Sequence, residues 1–124
     1  MKRLILVLIL AGIMNLQFTI FTFPDDGNFS IKELISNPVY YDGKEITVEG
    51  SVEKIHYTTR NGTPYTLFRI YDTENDLVGV YSKGHIPIFL GTKVRVRGEF
   101  KREKRVMIFR FYNVIKAHLV EEIG

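Results

Sequence analysis

A small all-β barrel of five strands is the fold this sequence predicts. Three observations lead there. Apolar residues alternate with polar ones at period two in several short runs, and turn signals such as Asp42-Gly43 and Asn61-Gly62 separate those runs. Two glycines, Gly50 and Gly98, stand inside strands, where long strands must bend if a sheet is to close on itself. The chain has 124 residues, enough for one domain with a modest core. Its 45% hydrophobic content excludes general disorder, and the absence of Cys excludes disulfides, thiolate metal sites and a thiol nucleophile.

The N-terminal segment reads as an address. Lys2 and Arg3 precede Leu4 to Met14, a run without a charge or strong polar group. Asn15 and Gln17 interrupt it, and it resumes from Phe18 to Phe23 before Pro24-Asp25-Asp26. Residues 1–24 therefore form either a cleaved signal peptide or an N-terminal membrane anchor through residues 4–23, which are twenty positions without a charge. No Ala-x-Ala-like cleavage site stands out. Either reading sends residues 25–124, a single domain, out of the cytoplasm, to be periplasmic, extracellular or membrane-anchored.

Ser30-Ile-Lys-Glu33 has the form of a capping box, so a helix is expected there and must stop at Asn37-Pro38. Ile46, Val48 and Val52 then alternate around Gly50, a half-buried first strand with a bulge or sharp bend at the glycine. Asn61-Gly62 predicts a hairpin into a second strand from Tyr65 to Asp72. Thr66, Phe68 and Ile70 take one face of that strand, and Tyr65, Leu67, Arg69 and Tyr71 the other. Glu74-Asn75-Asp76 is a polar turn, and Leu77 to Lys83 is a third strand. Gly84 to Gly91 is a connector too apolar to be wholly exposed, and a plug for one end of the core is expected there. Val94 and Val96 alternate with Arg95 and Arg97 in a fourth strand with one dry and one basic face. Lys101 to Arg105 reads as the charged turn of a second hairpin, and Val106 to Leu119 as the fifth strand.

Charge is unevenly distributed. Residues 25–91 carry a net −4, whereas residues 92–116 carry nine basic and two acidic side chains, or +7. No catalytic constellation accompanies it, and neither an enzyme activity nor a cofactor is expected. His56, His85 and His118 lack the short helical spacing of many zinc sites. Asp72, Glu74 and Asp76 alternate as in a calcium loop, but the glycine and terminal glutamate of that pattern are missing, and a hairpin turn accounts for them. Asn28-Phe-Ser30 and Asn61-Gly-Thr63 match the glycosylation sequon and fit helix entry and hairpin turn better.

Gly43-Lys-Glu-Ile-Thr-Val-Glu-Gly50-Ser-Val, then Phe68-Arg-Ile-Tyr-Asp72, then Gly91-Thr-Lys-Val-Arg-Val-Arg-Gly98 resembles the oligonucleotide/oligosaccharide-binding (OB) fold. It looks most like tRNA-anticodon-type OB domains and their exported single-domain relatives. The resemblance covers about residues 30–120. It implies a five-stranded Greek-key barrel with a short N-terminal helix and a short plug between strands three and four. It also implies a ligand crossing the outer face of strands two and three, where rings stack on bases and cations meet phosphates. On that face the alternation puts Tyr65, Arg69 and Tyr71 on strand two and Tyr81 and Lys83 on strand three, with Gly79 leaving open space. Arg95 and Arg97 add charge from strand four, and Lys101, Arg102, Lys104 and Arg105 form a basic hairpin tip. The expected partner is single-stranded nucleic acid or another polyanion.

Two other readings stand beside it. The same face suits an envelope module that contacts protein or glycan. A weaker similarity connects the chain to the haem chaperone of cytochrome c maturation, an anchored OB protein whose haem-bonding histidine follows its last strand. His118 occupies a similar place, although Glu122 stands where that family has a tyrosine.

Overall fold

Residues 29–106 and 109–124 are described by a computed structural model, so the expectations for residues 1–24 lie outside the described residues. Ser30 caps α1 (Ile31–Ser36) as its sequence pattern requires. The Ser30 hydroxyl accepts from the Glu33 N–H at 3.1 Å, and the Glu33 carboxylate accepts from the Ser30 N–H at 3.0 Å. Pro38 ends that helix but immediately opens a second short one, α2 (Pro38–Tyr41), because a proline fits the first helical turn, where no N–H partner is needed. Five strands follow: β1 (Glu45–Arg60), β2 (Thr63–Tyr71), β3 (Leu77–Lys83), β4 (Lys93–Val106) and β5 (Phe109–Glu122).

The strands close into a barrel in the order β1-β2-β3-β5-β4. β1 serves two partners. Glu45 to Ser51 pair with β4, and Ser51 to Arg60 pair with β2. β3 and β5 run parallel over Gly79–Ser82 and Val114–Ala117, and the other ladders are antiparallel. Asn61 and Gly62, both with positive φ, make the two-residue turn between β1 and β2. Inside lie Ile46, Val48, Val52, Phe68, Ile70, Val78, Val80, Val94, Val96, Phe100 and Ile115, with Ile31 and Leu34 of α1 joined to the same core. These are the alternate positions the apolar periodicity selects, and Phe100 is the largest of the fully buried side chains.

Several expectations are corrected. Lys101 to Arg105 are paired residues of β4, not a turn: Lys101 faces Val114, Lys104 faces Phe111 and Arg105 faces Arg110. Backbone pairing between two long strands overrides the solubility pattern that made this run look like a loop. β5 correspondingly ends at Glu122, so His118 lies within the strand and not after it. The ladder between Arg97–Gly98 and β5 slips by one residue there, which leaves His118 without a ladder partner.

The bulge of β1 falls between Glu53 and His56, beside Lys54 with φ 53°, and not at Gly50. Gly50 is needed for another reason: a Cβ there would lie 2.9 Å from the Tyr71 carbonyl oxygen, where β1 changes partners. Gly98 is tighter still, since its Cβ would sit on the Lys116 carbonyl. The connector of residues 84–92 holds no helix and only half plugs the core. Ile86 and Ile88 pack against it, while Phe89 and Leu90 point outward.

Candidate nucleic-acid interface

The outer faces of β2 and β3 carry most of the residues the alternation selects. Cross-strand pairing sets Tyr65 opposite Lys83, Leu67 opposite Tyr81, Arg69 opposite Gly79 and Tyr71 opposite Leu77. Tyr65 and Tyr71 are half-buried, which leaves part of each ring facing out, and Lys83 is exposed. Parallel pairing then places Lys116 of β5 beside Tyr81, and the antiparallel β4–β5 ladder places Glu99 beside Lys116. Lys116 was missed in the sequence, because nothing local to β5 shows that β3 is its neighbour. Only the crossover between non-consecutive strands does so.

Tyr81 is less available than its alternation implies. The Lys104 ammonium lies 5.8 Å from the centre of its ring, a cation held over the π face. Its hydroxyl and the Arg69 Nε are buried polar atoms without a hydrogen-bond partner among the described residues. Burial pushes the Tyr81 phenol above its ordinary value of 10.0, and the nearby Glu99 and then Tyr65 push in the same direction. The open space expected at Gly79 is also absent. A Cβ there would lie 3.1 Å from Val114 Cγ1, so β5 already fills it.

The arginines divide from the lysines. Arg69 pairs with Glu53 of β1 at 2.6 Å. Arg95 donates to Glu49 from Nε and Nη2 at 3.0 and 2.9 Å and reaches Glu121 at 3.4 Å. The hydrogen bonds it donates to Glu49 lead the interactions that hold its guanidinium above the ordinary arginine range. Arg97 pairs with Glu45 at 3.5 Å and donates to the Thr47 hydroxyl at 3.3 Å. Both β4 arginines sit beside the first half of β1, so the barrel does not bring them next to Tyr65 and Tyr71. Lys83, Lys104 and Lys116, by contrast, have no anionic partner within 4.0 Å among the described residues.

The remaining candidates are structural. His118 Nε2 contacts the Glu45 carboxylate that also receives Arg97. Asp72 Oδ1 accepts from the backbone of Glu74 and Asp76 at 3.0 Å each, which makes the acidic run a self-capped turn. No cluster of three or more potential metal ligands occurs among the described residues. Tyr57 donates to the Ile86 carbonyl at 2.8 Å and packs edge-on against His85, so it fastens the connector.

A five-stranded barrel closed as β1-β2-β3-β5-β4, with β1 shared between two ladders, is an OB fold. Solved structures agree. A small single-stranded DNA-binding protein from Streptomyces coelicolor superposes with a TM-score of 0.53 at 17% identity, over 66% of this chain and 94% of that one. Yeast Stn1 and Ten1 give 0.55 at 11% identity, over 79% of this chain and 63% of theirs. The N-terminal domain of PriB from Thermoanaerobacter tencongensis gives 0.51 at 13%, over 64% and 96%. Likeness at this level of identity carries the fold alone. No protein-family model matches the chain, and no curated protein matches it.

Proposed function

We propose that this chain is a binding module without enzymatic activity that takes single-stranded nucleic acid, or another polyanion, across the outer face of β2 and β3. One observation carries the reading. Tyr65 and Tyr71 share a face with Lys83, and Lys104 and Lys116 flank Tyr81 beside it. These three cations form no ion pair within 4.0 Å among the described residues, since Glu99 opposite Lys116 pairs with Lys101. Rings that are half open stack on bases whatever their sequence, and unpaired ammonium groups meet phosphates. The likeness to a protein that binds single-stranded DNA supports the same ligand class.

Within the OB fold, the glycine and alternation pattern supports placement with the anticodon-type branch. The charge pattern of residues 1–23 supports export, with the leader either removed or kept as an anchor. An envelope module for protein or glycan is the second reading. It is favoured by the neutralisation of Arg69, Arg95 and Arg97, which leaves Lys83 as the one predicted site cation without an ion pair among the described residues. The haem reading loses its main support, because His118 lies inside β5 with its Nε2 on Glu45.

Fluorescence anisotropy with a labelled single-stranded oligonucleotide tests the leading reading. Three lysine–phosphate contacts predict roughly 20-fold weaker binding on going from about 50 to about 200 mM salt. Tyr71→Ala should weaken binding by about tenfold, the loss of one stacked base. Salt-independent binding, or affinity unchanged in a Tyr65→Ala/Tyr71→Ala double variant, would refute the stacking surface.

A further inference from the structure

The connector between β3 and β4 divides its apolar residues in two. Ile86 and Ile88 pack on the core, whereas Phe89 and Leu90, adjacent in sequence, are 71% and 69% exposed. Single exposed apolar residues are ordinary on any surface. Two neighbours at the apex of a rigidly held turn are not explained by packing. The turn is rigid because the Thr92 N–H donates to the Phe89 carbonyl at 3.1 Å. Val52 of β1 then clamps its exit, donating to the Thr92 carbonyl at 2.9 Å and accepting from the Gly91 N–H at 2.8 Å. Two exposed lysines flank the apex. Lys93 follows it after Gly91 and Thr92, and Lys54 projects from the β1 bulge two residues beyond Val52. Neither has an anionic partner within 4.0 Å among the described residues.

We propose that the Phe89–Leu90 turn is a membrane-insertion tip, which sinks its two apolar side chains into the acyl boundary while Lys54 and Lys93 meet anionic headgroups. The proposal rests on the reading of residues 4–23 as a retained anchor. The length of chain available favours a bilayer as the occupant. Only residues 24–28 separate Phe23 from Phe29, and five residues span at most about 18 Å. Phe29 is tied to β1, its N–H donating to the Thr47 carbonyl at 2.8 Å. Thr47 lies five residues along the same strand from Val52, about 17 Å at a strand's rise. An anchored chain thus keeps the tip within about 35 Å of the lipid surface, the sum of the two reaches. At such effective concentrations a weak two-residue insertion is enough to orient the domain. The flanking lysines match an anionic surface, and aromatic or aliphatic tips ringed by lysine are the composition such an interface selects.

The sequence contains no Trp, so one introduced indole reports its own surroundings. The experiment uses the full chain reconstituted in vesicles of phosphatidylcholine and phosphatidylglycerol, with and without brominated acyl chains. Phe89→Trp is compared with Tyr112→Trp, which replaces a 60% exposed residue toward the far end of the β4–β5 ladder. The expected result is a blue-shifted Trp at position 89 that loses about half its emission to brominated lipid, as an interfacial side chain would, and an unquenched Trp at 112. A chain that floats with the vesicles while the position-89 Trp stays unquenched overturns the tip and leaves the anchor standing. A chain that does not float overturns the anchor and the tip together. A blue shift at position 89 without lipid quenching assigns the tip to a protein partner or a second copy, and also overturns the proposal.

Discussion

Two outer faces of one barrel both carry cationic side chains, yet their electrostatic states differ. On the β1–β4 side, Arg95 lies directly across from Glu49 and Arg97, across from Thr47, reaches Glu45 diagonally, so each cation is matched before any ligand arrives. On the β2–β3–β5 side, Lys83, Lys116 and Lys104, which reaches over from β4, surround tyrosines. They form no ion pair within 4.0 Å among the described residues, because Glu99, opposite Lys116, is taken by Lys101. Cross-strand register, not composition, separates a self-neutralised surface from one free to attract an anion. A count of positive residues would have ranked the β4 arginines first, and the pairing removes them.

The two faces share a seam at Gly98, and the largest predicted effect breaks it. The Cβ of Gly98→Ala would collide with the Lys116 carbonyl and the Ala117 Cα, both backbone atoms that cannot move aside. The variant should lose about 3 kcal/mol in urea unfolding and release Lys116 from its place beside Tyr81. Gly79→Ala meets only the Val114 side chain and should cost about 1 kcal/mol.

Charge removal sharpens the comparison next. Lys83→Ala with Lys116→Ala should flatten the salt dependence of oligonucleotide binding by about 1.4 in log–log slope, the share of two phosphate contacts. Arg95→Ala with Arg97→Ala should leave that slope unchanged and shift the urea midpoint little, since each pair is solvent-screened. Equal slopes in the two double variants would erase the distinction between the faces.

Tyr81→Phe is a smaller probe of the same side. It removes a buried hydroxyl that has no partner, so the barrel should gain about 1 kcal/mol. The pH dependence has a definite sign. The folded phenol titrates above 10.0, so the stability it contributes is complete below pH 10.0 and is lost as pH rises from there through the raised folded value. Thermal unfolding of the native chain should therefore weaken more steeply above pH 10 than that of Tyr81→Phe.

Local pattern is readable where the physics is local. The Ser30 capping box, the Asn61-Gly62 hairpin, the two faces of β2 and the bounds of β3 all follow from interactions spanning a few residues. The reading failed where the deciding partner was remote. Lys101 to Arg105 looked like a loop because charge was visible and the β5 ladder was not. Gly79 looked open because Val114 was not yet beside it.

By itself, then, the sequence determined that five strands would form and which side chains would alternate outward, since period and turn chemistry are properties of a short stretch of chain. Tertiary structure alone decided which outward residues meet. The Arg95–Glu49 pair joins positions 46 residues apart, and Lys116 reaches Tyr81 only because β5 closes against β3. Such contacts depend on the order in which strands close the barrel, a choice made by the whole core at once and written in no single segment.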